Sequence, residues 1–280
     1  MLPIYYINVA ARTDRRAHME AQLSRLGLGG LRVEAVTPAD LSNIDRDRYC
    51  NPARPHFLRP SELCCTLSHV AAWRMFLQSG AEQALILEDD VELDDALPAF
   101  LAEASSIDAD LIRIETTGAT TRVFPVSDVG RSGIAIRGFR STPMGSAGYL
   151  IRAGAARRLV DDERLRHRQM DLALYSPFAE PGRSLSRVLT DPALCRQLNM
   201  TGQNQLAVAR SDIAGVASEH HVARARPLRH LFLARVRRVG AGLRNAIDHM
   251  LCLPRGLTRK VVGFGLDGSA SNPASEAAAE

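Results

Sequence analysis

Hydrophobic and polar positions along the first part of the chain predict a strand, a helix and a second strand. Residues 4–9 form a mostly apolar run, and apolar side chains then recur at helical spacing from Met19 to Leu26, just before Gly27. Residues 31–36 alternate between apolar and polar side chains, which is typical of a strand. This order of elements favours a βαβ unit at the start of the chain.

The following segment repeats this order with a longer connection. Residues 37–60 are rich in proline and polar side chains and are expected to form a long loop, after which Ser61 is expected to cap a helix that ends at Gly80. Residues 84–87 are a short apolar run, typical of a strand buried on both faces. Alternating strands and helices predict an α/β fold with a mainly parallel sheet and flanking helices.

The rest of the domain continues this pattern, without an internal repeat or a proline- and serine-rich linker. We therefore assign residues 1–220 to a single α/β domain. Extended segments are predicted at residues 111–114, 123–126, 134–136 and 145–151, and a helix over residues 153–160.

The C-terminal part of the chain changes character. Apolar residues recur at helical spacing from Leu228 to Leu243 with arginines between them, which predicts a basic amphipathic helix within residues 221–265. Such a helix either lies on an anionic membrane surface or packs against the α/β domain with a solvated basic face. Residues 266–280 are rich in Gly, Ser and Ala and are expected to be disordered.

Composition identifies a globular protein and narrows its partners. The 280 residues are 46% hydrophobic and 24% charged, with a net charge of +4. Lys260 is the only lysine, so the positive charge is almost entirely arginine, whose planar fork suits phosphate groups. Neither an aromatic stacking platform, a zinc-finger spacing nor a helix-turn-helix accompanies this charge, so a nucleic acid is not the expected partner.

Cysteine usage and hydropathy indicate a cytoplasmic protein. The five cysteines are odd in number and include no CxxC pair, which argues against a disulfide framework and fits a reducing compartment. No apolar segment has the length needed to span a bilayer.

The candidate chemistry lies in three consecutive acids, Glu88, Asp89 and Asp90, directly after the strand at 84–87. Open α/β sheets bind ligands at the carboxyl ends of their strands, and three adjacent carboxylates repel one another unless a cation joins them. Mg²⁺ and Mn²⁺ are held by carboxylates together with phosphate oxygens, so the cluster suits a metal–nucleotide complex. The alternative is a solvated acidic turn that caps the helix near Asp94.

Three polar residues follow the first strand in the same way. Asn8, Arg12 and Arg15 are placed where a base, a ribose or a phosphate of a nucleotide could reach them. The alternative is a solvated basic face of the first helix.

The segment Glu62 to His69, with Trp73 four residues later and the acid cluster behind it, resembles the signature of glycosyltransferase family 25. That family includes lipopolysaccharide β-galactosyltransferases and collagen galactosyltransferases. The resemblance extends over roughly residues 3–215. One departure is Cys64, where the family usually has glycine.

The resemblance implies a GT-A-like fold, a UDP-sugar donor such as UDP-galactose, and a divalent metal, Mn²⁺ or Mg²⁺. Asp90 would bind the metal, with Glu88 as a second metal residue, and Glu88 or Asp89 would contact the ribose or the metal's water shell. An inverting transfer also needs a carboxylate base for the acceptor hydroxyl, and Asp171 is assigned to that role. Alternatively Asp171 is an acid at a helix start or a partner of Arg168.

Two histidine features have structural alternatives. His69 lies in an apolar helix, where a lone histidine is more often a hydrogen-bonded core residue than a catalytic group. His220 and His221 could supply a late metal ligand, but adjacent histidines commonly lie in exposed loops.

The functional hypothesis is transfer of a hexose from a UDP-sugar to a saccharide acceptor of lipopolysaccharide or another surface glycan. A lipid-linked acceptor would suit a protein peripheral to the inner face of the cytoplasmic membrane. The alternatives are a metal-dependent phosphotransfer or nucleotide-hydrolysing enzyme, and a non-catalytic nucleotide- or glycan-binding protein.

Overall fold

The computed structural model describes residues 2–54, 57–198 and 228–268. Its strands are, in chain order, β1 Ile4–Asn8, β2 Leu31–Glu34, β3 Gln83–Glu88, β4 Val91–Leu93, β5 Leu111–Arg113, β6 Glu115–Thr116, β7 Thr120–Val129, β8 Ala135–Phe139, β9 Gly148–Arg152, β10 Arg187–Asp191, β11 Cys195–Gln197 and β12 Thr258–Val261. Its α-helices are α1 Thr13–Arg25, α2 Asn43–Tyr49, α3 Pro60–Gln78, α4 Leu97–Leu101, α5 Ala153–Leu159, α6 Met170–Tyr175, α7 Leu228–Cys252 and α8 Gly265–Gly268.

A nine-stranded sheet in the order β12-β7-β8-β10-β5-β9-β3-β1-β2 forms the centre of the described structure. The predicted α/β class with flanking helices is confirmed. The pairing is more mixed than the sequence pattern indicated, because β1 pairs in parallel with β2 and β3, and β5 with β10, whereas β7, β8, β9 and β12 pair antiparallel. The short turn between β7 and β8 explains part of this, since only antiparallel strands can be joined without a crossover.

The core lies on both faces of the sheet. Side chains of β3 alternate between them: Ile86 packs with Trp73 and Phe76 of α3, whereas Leu87 packs with Met19 of α1. Burial on both faces is why residues 84–87 form a continuous apolar run instead of an alternating one.

A second sheet of three strands, in the order β4-β11-β6, is continuous in sequence with the ends of two strands of the large sheet. β4 begins directly after Asp90, and β6 begins at Glu115, two residues after β5. Strand β11 pairs with both, and Cys195 is opposite Leu93 on one side and Glu115 on the other. This sheet brings the chain after β3 close to the chain after β5.

Two expectations about the segment before β3 are wrong. Helix α3 begins at Pro60 with Arg59 as its N-cap residue, and Ser61 is already inside the helix. Proline is well suited to the first helical position because its fixed φ matches the helix and its missing N–H needs no partner there. The loop expected over residues 37–60 contains α2.

The predicted C-terminal extension, residues 221–265, is only partly helical. Helix α7 is present, but β12 pairs antiparallel with β7 and becomes the edge strand of the large sheet. The open edge of β7 supplies backbone partners that the local sequence pattern does not reveal. Residues 199–227 and 269–280, which include His220, His221, the boundary at 220 and most of the expected tail, lie outside the described residues.

Candidate active site

Asp89 is the most firmly held of the three predicted acids. It follows β3 directly, and its side chain is buried. One carboxylate oxygen accepts a hydrogen bond from the Asn8 amide at 2.7 Å, and the other accepts one from the Arg15 guanidinium at 2.9 Å. Asp89 therefore joins the end of β3 to the end of β1 and to the first turns of α1.

Asp90 is held at one oxygen only. Its Oδ2 lies 3.2 Å from the Arg15 guanidinium, whereas its Oδ1 is buried and has no hydrogen-bond partner. Burial, followed by the negative charge of Glu88, raises the pKa of Asp90 to about 7 although Arg15 opposes the shift. A buried carboxylate oxygen without a partner is costly unless a proton or a cation satisfies it.

Glu88 is linked to a chain of buried polar groups behind it. The Glu88 carboxylate lies 3.3 Å from His69 Nε2 and accepts a hydrogen bond from the Ser146 hydroxyl at 3.2 Å. Burial opposes ionisation of Glu88, but the hydrogen bonds from His69 and Ser146 hold the pKa of its carboxyl below its ordinary value. Glu88 is thus the acid that stays charged beside a carboxyl that resists ionisation.

The hydrogen-bond chain assigns the tautomer of His69. Trp73 donates its indole N–H to the Tyr149 hydroxyl at 2.9 Å, so the Tyr149 proton needs another acceptor. His69 Nδ1, 2.9 Å from the same hydroxyl, is that acceptor. The remaining ring nitrogen, Nε2, then carries the proton and donates to Glu88. His69 is a fully buried, hydrogen-bonded residue, as the structural alternative expected.

Glu115 is a fourth acid of the cluster that the sequence analysis missed. One of its oxygens accepts the Ala147 N–H at 3.0 Å and lies 3.2 Å from the Arg113 guanidinium, and the other is buried without a partner. Burial raises the pKa of Glu115 to about 7, Arg113 opposes this, and the charges of Glu88 and Asp90 add to it. Glu115 follows a predicted strand just as Glu88 does, so the strand-end rule that indicated one acid could have indicated both.

The segment 144–147 covers this acid cluster and is held from two sides. Arg113 donates to the carbonyl oxygens of Met144 and Gly145, and the Asp171 carboxylate accepts the Gly145 N–H at 3.2 Å. Gly145 has a φ of 86°, and a Cβ at this position would lie 2.3 Å from the unpartnered Glu115 oxygen. The close approach of backbone and carboxylate therefore requires glycine.

Asp171 is connected to the cluster through this glycine. It lies in the first turn of α6, where its second oxygen accepts the N–H of the next residue, Leu172. The helix-start position that the sequence analysis considered is thus its location, and Asp171 is partly exposed there.

The residues of the first strand and helix that were predicted to bind a nucleotide form hydrogen bonds and ion pairs with other side chains of the protein. Asn8 is buried, donates to Asp89, and accepts a hydrogen bond from Arg32 at 2.9 Å. Arg12 forms an ion pair with Asp14 at 2.9 Å, and its hydrogen bond lowers the pKa of Asp14 to about 2. Among these residues, Asn8 and Arg15 contact the acid cluster directly.

Two clefts of the described structure lie at different ends of the strands that lead to the acid cluster. One, of about 650 Å³, lies beside β4 and is lined by His18, Gln22, Glu92 and Asp94 among others. The other, of about 580 Å³, lies at the amino ends of β1 and β3, at the opposite end of the strands from the acids. The cleft beside β4 is therefore the nearer in sequence to Asp90.

Among the described residues, the ligand atoms of Cys65, His69 and Glu88 converge closely enough to hold a cation, since all of them lie within 4.8 Å of one another. In the acid cluster, Asp90 and Glu115 each have a buried oxygen without a partner. A carboxylate set suits Mg²⁺ or Mn²⁺, whereas a thiol, an imidazole and a carboxylate suit softer ions.

A family model described as glycosyltransferase family 25 (LPS biosynthesis protein) matches residues 1–171. The lacto-N-neotetraose biosynthesis glycosyltransferase LgtB of Neisseria gonorrhoeae is 28% identical over 214 residues, which cover 69% of this chain and 73% of that protein. LgtE of Neisseria meningitidis serogroup B is 27% identical over 165 residues, 56% of this chain and 59% of that protein. The chain thus spans about three fifths of the length of LgtE.

A human relative described as inactive glycosyltransferase 25 family member 3 is 27% identical over 180 residues, 58% of this chain and 29% of that protein. Among solved structures, a glycosyltransferase involved in the glycosylation of the major capsid of PBCV-1 aligns with 70% of this chain and 92% of that chain, at a TM-score of 0.38 and 11% identity. A likeness this distant supports no argument about the site.

Proposed function

Because the chain belongs to glycosyltransferase family 25, we propose that it transfers a hexose, galactose by expectation, from a UDP-sugar to a saccharide acceptor. The acceptor would be lipopolysaccharide or another surface glycan, and the anomeric centre would be inverted. The observation that carries this proposal is the cluster of Glu88, Asp90 and Glu115 at the ends of β3 and β5, in which one oxygen of Asp90 and one of Glu115 are buried without partners. The names of LgtB and LgtE, which describe glycan-building enzymes, support the acceptor class.

The acid cluster fits a divalent cation. Mg²⁺ and Mn²⁺ take oxygen ligands from one or two carboxylates and from phosphates, and Asp90 offers a buried oxygen with no partner inside the protein. We assign Asp90 and Glu88 to the cation. When bound, the cation would offset the negative charge that develops on the leaving diphosphate.

The other predicted residues of the donor site have supporting roles in this proposal. Asn8 and Arg15 hold Asp89 and thereby fix the turn that presents Asp90. Arg12, the N-cap residue of α1, is the basic group assigned to the ribose or phosphates of the donor, since its partner Asp14 is itself partly exposed. When the donor binds, water can take the place of the Arg12 guanidinium beside the Asp14 carboxylate, which leaves Arg12 able to contact the donor.

Asp171 is the proposed catalytic base. As the acceptor oxygen forms a bond to the anomeric carbon, the bond from that carbon to the diphosphate breaks, and Asp171 takes the proton of the acceptor hydroxyl. Its position supports this role, because it is partly exposed yet connected through Gly145 to the segment that covers Glu115.

Helix α7 supports the proposal that the protein lies on an anionic membrane surface. The apolar side chains of Val239, Leu243, Ile247 and Met250, spaced at intervals of four, four and three residues, are 49% to 70% exposed. On the opposite side, Asp248 is buried and pairs with Arg122 and Arg140 of the sheet domain. The helix therefore turns its apolar face outwards.

The charge of α7 identifies the kind of surface. The helix contains five arginines and a single acid, Asp248, whose charge is already matched by the sheet domain. An apolar stripe with arginines beside it is the pattern that inserts shallowly into anionic lipids. None of the described helices is both long and apolar enough to cross a membrane.

The function is tested by separating donor binding from turnover. Thermal-shift measurements with UDP-, GDP- and CMP-sugars, with and without Mn²⁺, are expected to show a metal-dependent stabilisation by a UDP-hexose, because a ligand that binds only the native state raises the melting temperature. Donor hydrolysis and transfer to saccharide acceptors are then measured for that sugar. Asp90→Asn is expected to lower the metal-dependent turnover at least a hundredfold.

The matched control is Asp95→Asn, because Asp95 is an exposed acid just after β4 and pairs with Arg25. It is expected to keep nearly normal turnover. Binding without turnover would favour the non-catalytic alternative, which the description of the human relative makes a real outcome. Cleavage of the UDP-hexose to UMP and hexose 1-phosphate without transfer to any saccharide would favour a nucleotide-hydrolysing enzyme.

A further inference from the structure

We propose that Cys65, His69 and Glu88 form a second metal site, which binds Zn²⁺ or a similar borderline-soft ion and thereby inhibits the enzyme. The site is separate in its ligand chemistry from the carboxylate site but shares Glu88 with it. The binding part of this proposal stands on the geometry of the three side chains. The inhibition part rests on the proposed function.

The three ligand atoms already converge. Cys65 and His69 are four residues apart on α3, so their side chains lie on one face of the helix, one turn apart. Glu88 is the last residue of β3 and faces this pair, and the three ligand atoms lie within 4.8 Å of one another. Ligands around a tetrahedral zinc, at about 2.0 to 2.3 Å from the ion, are roughly 3.3 to 3.8 Å apart, so closure needs only about 1 Å of movement.

The surroundings of His69 suit a metal ligand. Metal-bound histidines normally have their other ring nitrogen hydrogen-bonded to the protein, which fixes the ring. The Tyr149 hydroxyl lies 2.9 Å from His69 Nδ1 and is itself fixed by Trp73. With the ion on Nε2, the ring proton moves to Nδ1 and is donated to the Tyr149 oxygen, and the Tyr149 hydroxyl proton gives up its bond to the ring.

Ser146 provides the remaining coordination position. Its hydroxyl lies 3.2 Å from the Glu88 carboxylate and 3.5 Å from His69 Nε2. Zinc sites with three protein ligands leave a fourth position for water or another oxygen. The Ser146 hydroxyl, or a water in its place, fits that position.

The donor set selects the class of ion. Thiol and imidazole ligands favour Zn²⁺ over Mn²⁺ and Mg²⁺, which prefer oxygen. On binding, the sulfur–proton bond is replaced by a sulfur–zinc bond, and the proton leaves to solvent.

The shared Glu88 explains inhibition. A zinc ion on Glu88, with the Cys65 thiolate formed as its proton leaves, would add one net positive charge beside Asp90 and withdraw Glu88 from the carboxylate site. The donor cation would then bind less well, and turnover would fall without any change to Asp90 or Asp171.

Cobalt substitution tests the site directly. Co²⁺ bound to a thiolate gives a near-ultraviolet charge-transfer absorption, so titration of the metal-free full-length protein with Co²⁺ is expected to produce this band at one ion per chain. Zn²⁺ is expected to abolish the band by displacement. The variant Cys65→Ser is expected to lack the band, and His69→Gln to weaken Co²⁺ binding at least tenfold.

The matched control is Cys64→Ser. Cys64 precedes Cys65 on the same helix, but it is buried in a different cluster with Leu41, Tyr49 and Leu63. This variant is expected to keep the band. The proposal is overturned if the wild-type protein gives no thiolate band, or if the band persists in Cys65→Ser.

Inhibition is measured separately from binding. Zn²⁺ is expected to inhibit wild-type turnover in the presence of excess Mn²⁺, and the inhibitory concentration is expected to rise at least tenfold in Cys65→Ser but not in Cys64→Ser. Equal inhibition of both variants would overturn the regulatory role. If no transfer activity exists, the cobalt band still decides the site, so failure of the proposed function remains distinguishable. Melting temperatures of all variants verify that each is folded.

Discussion

The Arg15 guanidinium contacts two carboxylates at once. It is 7% exposed, lies 2.9 Å from Asp89 and 3.2 Å from Asp90, and belongs to α1, far from both in sequence. Removing one partner of a buried ion pair leaves an uncompensated charge. Loss of Arg15 is therefore expected to destabilise the fold, whereas loss of its exposed neighbour Arg16 is not.

Arg15→Ala is expected to lower the free energy of unfolding by about 3 kcal/mol, measured by urea denaturation at pH 7. Arg16→Ala serves as the control, because Arg16 is 51% exposed and pairs with Glu20 across one helical turn. The Arg16→Ala variant is expected to keep nearly the wild-type free energy of unfolding, because exposed ion pairs contribute little. Equal losses in the two variants would show that Arg15 does not offset buried charge.

Glu115 is expected to make stability depend on pH. Its pKa is about 7 in the folded protein, above the ordinary value of roughly 4, so between these values the folded state holds a proton that the unfolded state has lost. The free energy of unfolding therefore falls as pH rises from about 5 to about 8. In the metal-free protein, Glu115→Gln is expected to reduce this fall by roughly 1 to 3 kcal/mol.

The control for this measurement is Glu103→Gln. The hydrogen bond from Ser132 lowers the pKa of Glu103, so that carboxyl titrates below the tested range. Urea denaturation at pH 5, 6, 7 and 8 is expected to give the same slope for Glu103→Gln as for the wild-type protein. A wild-type slope in Glu115→Gln would contradict the assignment.

At the scale of secondary-structure elements, the segment between β8 and β9 decides how the acids are covered. Its Gly145 has a left-handed φ of 86° and leaves no room for a side chain, because a Cβ would lie 2.3 Å from Glu115. Gly118 has a similar φ of 68° but open space around its Cβ position. A comparison of substitutions at the two glycines therefore distinguishes the effect of backbone strain from that of a steric clash.

Gly145→Ala is expected to displace Glu115 and to reduce metal-dependent donor turnover at least tenfold, while Gly118→Ala is expected to cost only about 1 kcal/mol of stability from strain. Turnover and urea denaturation of both variants make the comparison. If Gly118→Ala loses as much turnover as Gly145→Ala, the effect comes from strain and the close contact has no separate role.

The α3 helix shows how one element serves several sites. Its residues Trp73 and His69 both contact the Tyr149 hydroxyl of β9, and His69 continues to Glu88 of β3. Its Ser68 hydroxyl accepts the Val36 N–H at 2.9 Å, which holds the chain after β2. These contacts join three strands of the large sheet to one helix face.

At the scale of the whole molecule, helix α7 presents an apolar face to solvent. Leu243 is 62% exposed on this face, and Ile44 of α2, 77% exposed, is a comparable apolar side chain elsewhere on the protein. If the outward face of α7 lies on anionic lipid, the two positions must differ in their effect on vesicle binding.

Co-sedimentation with vesicles of phosphatidylglycerol and phosphatidylethanolamine is expected to retain the wild-type protein, and added salt is expected to weaken retention because the arginines of α7 contribute. Leu243→Asp is expected to weaken binding at least tenfold, whereas Ile44→Asp is expected to leave it unchanged. Binding that persists in Leu243→Asp, or that is equal on purely zwitterionic vesicles, would contradict the membrane proposal.

The sequence by itself determined the elements whose signals are local. The apolar run at 84–87 and the acids that follow it are contiguous in sequence, and the helices α1, α3 and α7 depend on a spacing of 3.6 residues, so neighbouring residues reveal both. The segment Glu62 to His69, together with Trp73 and the acid cluster behind it, carried the resemblance to a family that the comparisons confirmed. Glu88, Asp89 and Asp90 were placed correctly at a strand end for the same reason.

Only the tertiary structure decided which residues share the site and what state they are in. Asn8 meets Asp89 across 81 residues, and Tyr149 meets His69 across 80, so no local pattern reports these contacts. The pKa of Glu115 and the edge position of β12 likewise depend on burial and on strand pairing between distant segments. Desolvation, charge proximity and sheet pairing arise only when the chain is packed, and these three effects determine the chemistry of the cluster.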